Sequence, residues 1–449
     1  MSRGKSDNTA VSRLLLCIYL FEAGLAILSF GLYKTTAFTP ALLVSKSGIL
    51  LFAGLVVAAL GAAPLVGALV RSRRSLGLAI AANVLSIVLA ALAAESALRL
   101  AVQASPDGIA VAGVPLRPTW SDLVARIHAM PPAAQSFFLY DAELGWTVGP
   151  GRRSPDGVYL SSAEGVRSDV QGVRYHDETA ASRVALIGDS NAFSLEVPFK
   201  ESWGYHLGRV LGSDVQVLNF GVDGYGIDQV YLRYQRDVRP WKPSVVVIGF
   251  IQHDLIRTMA VYPFVSFGWP GYLVKPRFDV VDERLAIVNR PLPSPAEIAR
   301  KASPQALPFI DYDAGYVDQD WSFRFDGGPL LLRLLTSVSP RWVNGEPRGN
   351  ADTATLNSRL LNELINAIKR DGAVPVLVYL PHWNGDEQLA RTTLRRAGLP
   401  YLDMTACLQR VPEQERRVAS GQHYTGRANE ALARCTSTAV RCGLGRSCE

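Results

Sequence analysis

Four short and almost uninterrupted apolar runs constrain the fold of this chain more than any other feature of its sequence. They are rich in Val, Leu and Ile, and they lie at 184–188 (VALIG), 215–220 (VQVLNF), 244–250 (SVVVIGF) and 374–380 (VPVLVYL). Such runs are typical of parallel strands that are buried on both faces. Parallel neighbours cannot be joined by tight turns, so we expect crossover segments, usually helices, between the runs.

Helical patterns lie between these runs. The clearest is a stripe of apolar residues at helical spacing, which Gly372 ends, and its members are Leu356, Leu360, Leu361, Leu364, Ile365 and Ile368. Alternating strands and helices predict an open, doubly wound α/β sheet. The segment at about 258–350 carries many Pro and aromatic residues, and we interpret it as an insertion after the third strand.

The N-terminal region has a different character. Its three apolar stretches, 14–33, 48–70 and 75–94, contain a single charged residue, Glu22. Each can cross ~30 Å of hydrocarbon at ~1.5 Å per residue. Three runs of this length do not fit a cleaved signal peptide, which leaves buried core helices as the alternative. We therefore expect about three transmembrane helices within residues 1–102.

The charge distribution supports this division of the chain. Residues 1–102 hold nine Lys and Arg residues against three acids, whereas the remaining 347 residues hold 37 of each sign. The net charge of +6 thus belongs to the apolar region, and no basic folded domain is left to bind nucleic acid.

Basic residues also indicate an orientation. They precede the first apolar stretch and crowd the loop between the second and third, at Arg3, Lys5, Arg13, Arg71, Arg73 and Arg74. The positive-inside rule places both segments in the cytoplasm. We therefore expect a multi-pass protein of the inner membrane whose C-terminal domain lies on the periplasmic side.

Four of the five cysteines fall in the last 43 residues, at Cys407, Cys435, Cys442 and Cys448. Their spacing lacks the Cys-x-x-Cys or Cys/His pairs of a zinc site, and an exported domain would tend to oxidise them. Cys407 follows a short LDM segment that we predict to be the last strand, and Cys435 lies in the last predicted helix. We expect these two to pair near the loop between them, and Cys442 to pair with Cys448.

Residues 103–182 are rich in Gly, Pro and Ser and show little periodicity. We interpret them as a connector and lead-in. The predicted organisation is therefore a membrane region at 1–102, this connector, and an α/β domain at 183–449.

Polar residues follow the predicted strands at the positions where open parallel sheets bind ligands, outside the carboxyl ends of the strands. The segments are GDS at 188–190, the Gly-rich NFGVDGYG at 219–226, QHD at 252–254, and GQHYTG at 421–426 ahead of an amphipathic helix. The topology thus predicts one rim that carries a Ser, a Gly-rich loop, a polar side chain and a His.

These blocks resemble those of the SGNH (GDSL-type) hydrolases, a family named after a Ser, a Gly, an Asn and a His from four blocks. Ser190, Gly221 and His423 match three of them, and the likeness runs from residue 183 to about residue 440. FFLYDAELGW at 137–146 also resembles the lead-in of membrane-anchored members. The resemblance implies a flavodoxin-like sheet and a serine hydrolase of oxygen esters, with no metal or other cofactor.

The resemblance also implies a role for each matching residue. Ser190 is the expected nucleophile and His423 the expected base, because a serine hydroxyl needs a base within hydrogen-bond reach. The N–H groups of Ser190 and Gly221 are the expected oxyanion donors. Asp189 and Asp254 are expected to support the loops.

Two positions depart from the family pattern. His253 stands where the family has Asn, and the Asp usually found two or three residues before the His is replaced by Ser420 and Gly421. A neutral imidazole has one N–H, so His253 is either a third oxyanion donor or merely a residue that took the place of Asn. What orients His423 is left open, with a backbone carbonyl or a water molecule as candidates.

The expected function is hydrolysis of oxygen esters, or transfer of the acyl group, with an acylated glycan of the cell envelope as the substrate that family and location imply. The alternative is a non-catalytic SGNH-like binding or scaffold protein. The missing Asp favours this alternative, whereas the retained Ser190 and His423 oppose it.

Overall fold

The structure is a computed structural model. It describes residues 18–19, 22–24, 88, 92, 95–105, 108–111, 114–269, 271, 273–318, 321, 328–338, 352–381 and 387–447. The three predicted membrane stretches fall almost entirely outside these residues. Within the described ranges, none of the helices combines the length and the apolar character that crossing a bilayer requires.

The described strands, in chain order, are β1 (Val102–Ser105), β2 (Gly108–Val111), β3 (Val114–Pro115), β4 (Phe138–Asp141), β5 (Gly145–Val148), β6 (Leu160–Ser161), β7 (Arg167–Ser168), β8 (Ser182–Gly188), β9 (Val215–Asn219), β10 (Val245–Phe250), β11 (Phe278–Val281), β12 (Arg284–Ile287), β13 (Val374–Tyr379) and β14 (Leu402–Asp403). The described α-helices after residue 119 are α1 (Trp120–Ala129), α2 (Ser190–Phe193), α3 (Trp203–Leu211), α4 (Ile227–Arg233), α5 (Gln252–Arg257), α6 (Pro263–Ser266), α7 (Pro295–Ala299), α8 (Leu330–Val338), α9 (Thr353–Arg370), α10 (Gln388–Ala397), α11 (Thr405–Gln409) and α12 (Gly426–Gly443).

The chain divides into two compact units. One consists of Met1–Thr119 with Gln319–Asn344, and the other of Trp120–Asp318 with Gly345–Glu449. In the first unit, β1, β2 and β3 form a small antiparallel sheet. All of the candidate site residues lie in the second unit.

The second unit is built on a seven-stranded sheet with the order β14-β13-β10-β8-β9-β7-β6. The first five strands of this order are parallel, which confirms the predicted α/β class. The sheet is not wholly parallel, however, because β7 pairs antiparallel with both β9 and β6. These two strands have two residues each, which is too short to leave a periodic apolar pattern in the sequence.

Alternate residues of the parallel strands enter two separate cores. Ala185, Ile187 and Ile248 pack with α4, α9 and α10, whereas Leu186 and Val247 pack with α3 and α12 on the opposite face. Helices cover both faces of the sheet, so the side chains that point to either face must be apolar. Almost every position of a central strand is therefore apolar, which explains the near-continuous runs. Each fully buried Val, Leu or Ile side chain contributes roughly 1.5–3 kcal/mol.

The predicted helical stripe lies in α9, which ends at Arg370, and Gly372 has a φ of +82° just beyond it. Cys407 and Cys435 form a disulfide between α11 and α12, as predicted. Cys442 is also disulfide-bonded. Cys448 lies outside the described residues, so the pairing of these two stays a prediction.

The stretch interpreted as a connector contributes a β4–β5 hairpin that packs against the Gly-rich loop. Trp146 Nε1 donates to the Asp223 carbonyl at 2.8 Å, and the Tyr225 hydroxyl donates to the Trp146 carbonyl at 2.5 Å. Leu144 and Trp146 are buried in the same core cluster as Tyr225. This hairpin therefore buttresses the loop that carries Gly221.

Candidate active site

Ser190 lies where β8 turns sharply into the one-turn helix α2. Gly188, at the end of β8, has a φ of +151°, and a Cβ there would lie 2.2 Å from the carbonyl oxygen of Gly249 on β10. Asp189 then caps α2 by accepting hydrogen bonds from the amides of Asn191 at 2.8 Å and Ala192 at 3.4 Å. The tight turn and the cap together present Ser190 at the first position of the helix.

His423 reaches Ser190 from the other end of the chain. Its Nε2 lies 3.0 Å from Ser190 Oγ, although the two residues are 233 positions apart. His423 comes just before α12, whose first turn is capped by the Thr425 side chain, and its carbonyl accepts from the Val418 amide at 3.0 Å. The structure therefore brings together the two residues predicted as nucleophile and base.

Glu196 contacts the other nitrogen of His423. Its Oε2 lies 2.5 Å from His423 Nδ1 and accepts a hydrogen bond from Ser420 Oγ at 2.7 Å. A proton on Nδ1 facing this carboxylate leaves Nε2 as an acceptor for the Ser190 hydroxyl. The three side chains therefore form a continuous hydrogen-bonded relay.

Our sequence reasoning missed Glu196. The usual acid precedes the His by two or three residues, and here Ser420 occupies that region and donates to a carboxylate that comes instead from the loop after α2. Glu196 follows the nucleophile by six residues and has a left-handed backbone with φ of +66°. The sequence offered no signal for Glu196, because neither its left-handed φ nor its contact with His423 leaves a local pattern.

Gly221 lies against α2, the helix that begins with Ser190. A Cβ on it would lie 2.3 Å from the backbone nitrogen of Phe193, so only glycine fits this close approach. Its own N–H donates to Oδ1 of Asn219 at 2.9 Å. The predicted oxyanion donor is thus close to α2 and is already hydrogen-bonded.

His253 and Asp254 lie in the first turn of α5, at the carboxyl end of the strand next to β8. His253 is partly exposed, whereas Asp254 is fully buried. Asp254 accepts from the Ile251 amide at 3.0 Å and from Arg257 Nη1 at 2.5 Å. Adjacent residues of one turn thus face different environments.

Asp189, Arg257 and Asp254 form a buried cluster beneath the relay. Arg257 Nη1 also lies 3.4 Å from Asp189 Oδ2 and donates to the Tyr225 carbonyl at 3.1 Å. Burial raises the pKa of the Asp254 carboxyl well above its usual value, and the charge of Asp189 raises it further, while Arg257 lowers it. One guanidinium therefore serves two carboxyl groups, and Asp254 retains its proton more readily than an exposed aspartate.

No group of three or more His, Cys, Asp or Glu side chains that could hold a metal ion occurs in the described part of the chain. His382, which follows β13 in sequence, lies outside the described residues.

Comparisons with known proteins reveal structural likeness only, since no protein-family model and no curated protein matches the chain. The chain is similar to a lipase/acylhydrolase from Enterococcus faecalis at 13% identity, with 58% of this chain and 96% of that chain covered and a TM-score of 0.31. It is similar to an acetylxylan esterase from Geobacillus stearothermophilus at 12% identity, with 60% and 97% covered and a TM-score of 0.30.

A further similar structure is a member of the lipolytic G-D-S-L family from Veillonella parvula, at 8% identity, with 57% and 95% covered and a TM-score of 0.30. At these TM-scores the likeness carries no argument about function. The function has to be inferred from the geometry of the site.

Proposed function

We propose that this protein is a serine hydrolase of oxygen esters of the SGNH type, with Ser190 as nucleophile, His423 as base and Glu196 as the acid that orients the base. The relay from Ser190 Oγ through both ring nitrogens of His423 to Glu196 supports this proposal, with distances of 3.0 Å and 2.5 Å. The missing Asp had favoured a scaffold, and Glu196 removes that objection because it supplies a carboxylate at Nδ1.

The relay accounts for both halves of ester cleavage. As Ser190 Oγ attacks the carbonyl carbon, its proton passes to His423 Nε2, and the carbonyl electron pair moves onto oxygen. His423 then returns that proton to the leaving alcohol as the C–O bond breaks. A water molecule then loses a proton to His423 as it attacks the acyl carbon, and His423 returns that proton to Ser190 Oγ as the bond between Oγ and the acyl carbon breaks, which releases the acid and restores Ser190. A sugar hydroxyl in place of water would make the same reaction an acyl transfer.

The oxyanion that forms in this reaction needs donors close to Ser190. We propose the N–H groups of Ser190 and Gly221, with His253 as a third donor. The Gly221 N–H, which donates to Asn219 Oδ1, would turn toward the oxyanion or divide its hydrogen bond between the two acceptors. Each such donor is worth about 10²–10³ in rate.

We further propose that this domain is anchored by the N-terminal apolar stretches and lies in the periplasm, where an acylated envelope glycan is its substrate. The disulfide between Cys407 and Cys435 supports an oxidising compartment. An alkaline phosphatase reporter tests the orientation, because it should be active after Val102 and inactive at Ser72. The opposite pattern would contradict the periplasmic assignment.

A serine-directed fluorophosphonate tests the catalytic proposal on the full chain. We expect it to label the wild type, and we expect Ser190→Ala to abolish labelling and to lower kcat on a chromogenic acetyl ester by about 10⁴-fold or more. Ser358→Ala is a matched control, because Ser358 is buried on α9 and, among the described residues, its hydroxyl hydrogen-bonds only to the Thr355 carbonyl. A folded wild type that neither reacts nor hydrolyses esters would support the scaffold instead.

A further inference from the structure

Arg167, on the short antiparallel strand β7 between β9 and β6, is almost completely buried, and the proposed reaction does not use it. It is 2% exposed, and among the described residues its guanidinium contacts backbone carbonyls instead of a carboxylate. Nη1 donates to the carbonyls of Phe193 and, at 2.6 Å, Ser194, and Nη2 donates to that of Val197 at 2.5 Å. Burying a cation without a carboxylate partner is costly, so the burial of Arg167 calls for an explanation.

The three carbonyls flank the acid of the relay. Phe193 is the last residue of α2, the helix that begins with Ser190, so Arg167 binds carbonyls that lack partners within the helix. Val197 follows Glu196 directly. One guanidinium therefore holds the chain on both sides of Glu196.

Asn219 extends this arrangement. It pairs with Arg167 across the junction of β7 and β9, and its Nδ2 donates to the Ala192 carbonyl at 2.9 Å. Its Oδ1 accepts the Gly221 N–H. The side chains of two paired residues thus bind three successive carbonyls at the end of the nucleophile helix, and one of them also binds the oxyanion-loop glycine.

The loop held in this way has a backbone that requires support. Ser194 and Glu196 both have left-handed φ values, +61° and +66°, which cost non-glycine residues roughly 1–2 kcal/mol each. The Arg167 guanidinium carbon lies 4.4 Å from the Phe193 ring centroid and 5.2 Å from that of Tyr159. The Tyr159 hydroxyl accepts the Glu196 N–H at 2.8 Å. Burial lowers the pKa of Arg167 to about 9, so the side chain remains a cation at neutral pH.

We propose that Arg167, together with Asn219, is a positioning residue that holds residues 193–197 so that Glu196 meets His423 Nδ1. This inference rests on the proposed ester-hydrolase function. It assigns a positioning role to a residue of β7, a strand that lies outside the four sequence blocks.

The test compares Arg167→Met, Arg167→Lys and a control in the full chain. We expect Arg167→Met to lower kcat by about 10–10²-fold while KM changes by less than about threefold, because misplaced catalytic groups mainly lower kcat. Arg167→Lys keeps the charge but cannot reach three carbonyls, and its kcat should lie between those of the wild type and Arg167→Met. Arg233→Met is the control, because Arg233 is also buried but contacts Thr147, Gly165 and Asp237.

A double variant separates positioning from a general loss of stability. If Arg167 acts through Glu196, Arg167→Met should lower kcat by less than about threefold further in a Glu196→Gln background. If the losses of kcat in Arg167→Met and Glu196→Gln multiply in full in the double variant, the proposal is overturned. It is also overturned if Arg167→Met and Arg167→Lys both retain the wild-type kcat. If Arg167→Met does not fold, Arg167→Lys decides the question.

A second readout does not depend on turnover. The hydrogen bond from His423 Nδ1–H to Glu196 should give a downfield proton resonance in the wild type that Glu196→Gln and Arg167→Met abolish and Arg233→Met keeps. An inert wild type that shows this behaviour would contradict the proposed function and leave the positioning role standing. A resonance that survives Arg167→Met would contradict the positioning role, even in an active enzyme.

Discussion

Two polar clusters meet at residues 189 and 190 and use similar side chains for opposite purposes. The relay of Ser190, His423 and Glu196 retains access to solvent, since the side chains of His423 and Glu196 are 11% and 34% exposed. In the cluster of Asp189, Arg257 and Asp254, the side chains are at most 9% exposed.

The difference in exposure suits the two clusters to different roles. The relay is suited to the proposed proton transfer, and the buried cluster is suited to supporting the fold around it. A carboxylate that is partly hydrated can stabilise an imidazolium as it forms, whereas a carboxyl group buried beside a second one has its charge opposed by desolvation and repulsion. The buried cluster instead ties the end of β8 to α5, because Arg257 on α5 contacts both Asp189 and Asp254. Variants of the two clusters should therefore differ in which measurement they change.

After Ser190, the largest effect is expected at Glu196. Glu196→Gln keeps the size of the side chain but removes the charge that stabilises the imidazolium and orients its Nδ1–H, so kcat should fall by about 10²–10⁴-fold. Ser420→Ala is a milder variant, because it removes only one hydrogen bond to Glu196, and it should lower kcat by less than about tenfold. Steady-state kinetics on an acetyl ester measures both. A Glu196→Gln variant within about threefold of the wild type would assign this acid to structure alone.

A smaller effect is expected at His253, which lies next to Asp254 but is partly exposed. If it donates to the oxyanion, His253→Ala should lower kcat by about 10²–10³-fold with little change in KM, whereas His253→Asn should retain much of the activity because an amide also donates an N–H. If His253 is a second base, both variants should be equally impaired and the acidic limb of the pH–rate profile should disappear. Full activity in both variants would make His253 a bystander.

Sequence reasoning reached the residues whose pattern is local. The four apolar runs correspond to β8, β9, β10 and β13, and the loops after them place Ser190, Gly221 and His253 at the same edge of the sheet. The Cys407–Cys435 pair was also predicted, because both flanking elements could be located from sequence.

What the sequence did not disclose depends on contacts between distant or irregular segments. Glu196 reaches His423 across 227 positions from a loop with a left-handed backbone, and no local pattern marks such a contact. Arg167 lies on a two-residue strand, so its burial produces no periodic signal. Both residues make their contacts through side-chain hydrogen bonds to segments that are distant in sequence, which single-sequence patterns do not encode.

The smallest effect on activity is expected at Asp254, and its variant should instead change the pH dependence of stability. Asn resembles the protonated carboxyl, since its oxygen can accept from Arg257 and its amide group can donate to Asp189, and it loses only the acceptor for the Ile251 N–H. Asp254→Asn should therefore fold and lower kcat by less than about tenfold, which corresponds to about 1.4 kcal/mol.

The sign of the stability change follows from the raised pKa of Asp254. The folded protein binds this proton more tightly than the unfolded chain, so the free energy of unfolding loses a contribution as pH rises from the usual aspartate value of 3.8 toward the raised one. Asp254→Asn has no such proton, so its stability relative to the wild type should increase with pH over this window. Urea unfolding of both full-length proteins between about pH 4 and pH 8 measures this difference in the free energy of unfolding. The contributions of two other buried acids, Asp228 and Asp313, are common to both proteins and cancel. A difference that stays constant with pH would mean that Asp254 is ionised like an exposed aspartate, and the contrast between the buried cluster and the relay would then fail.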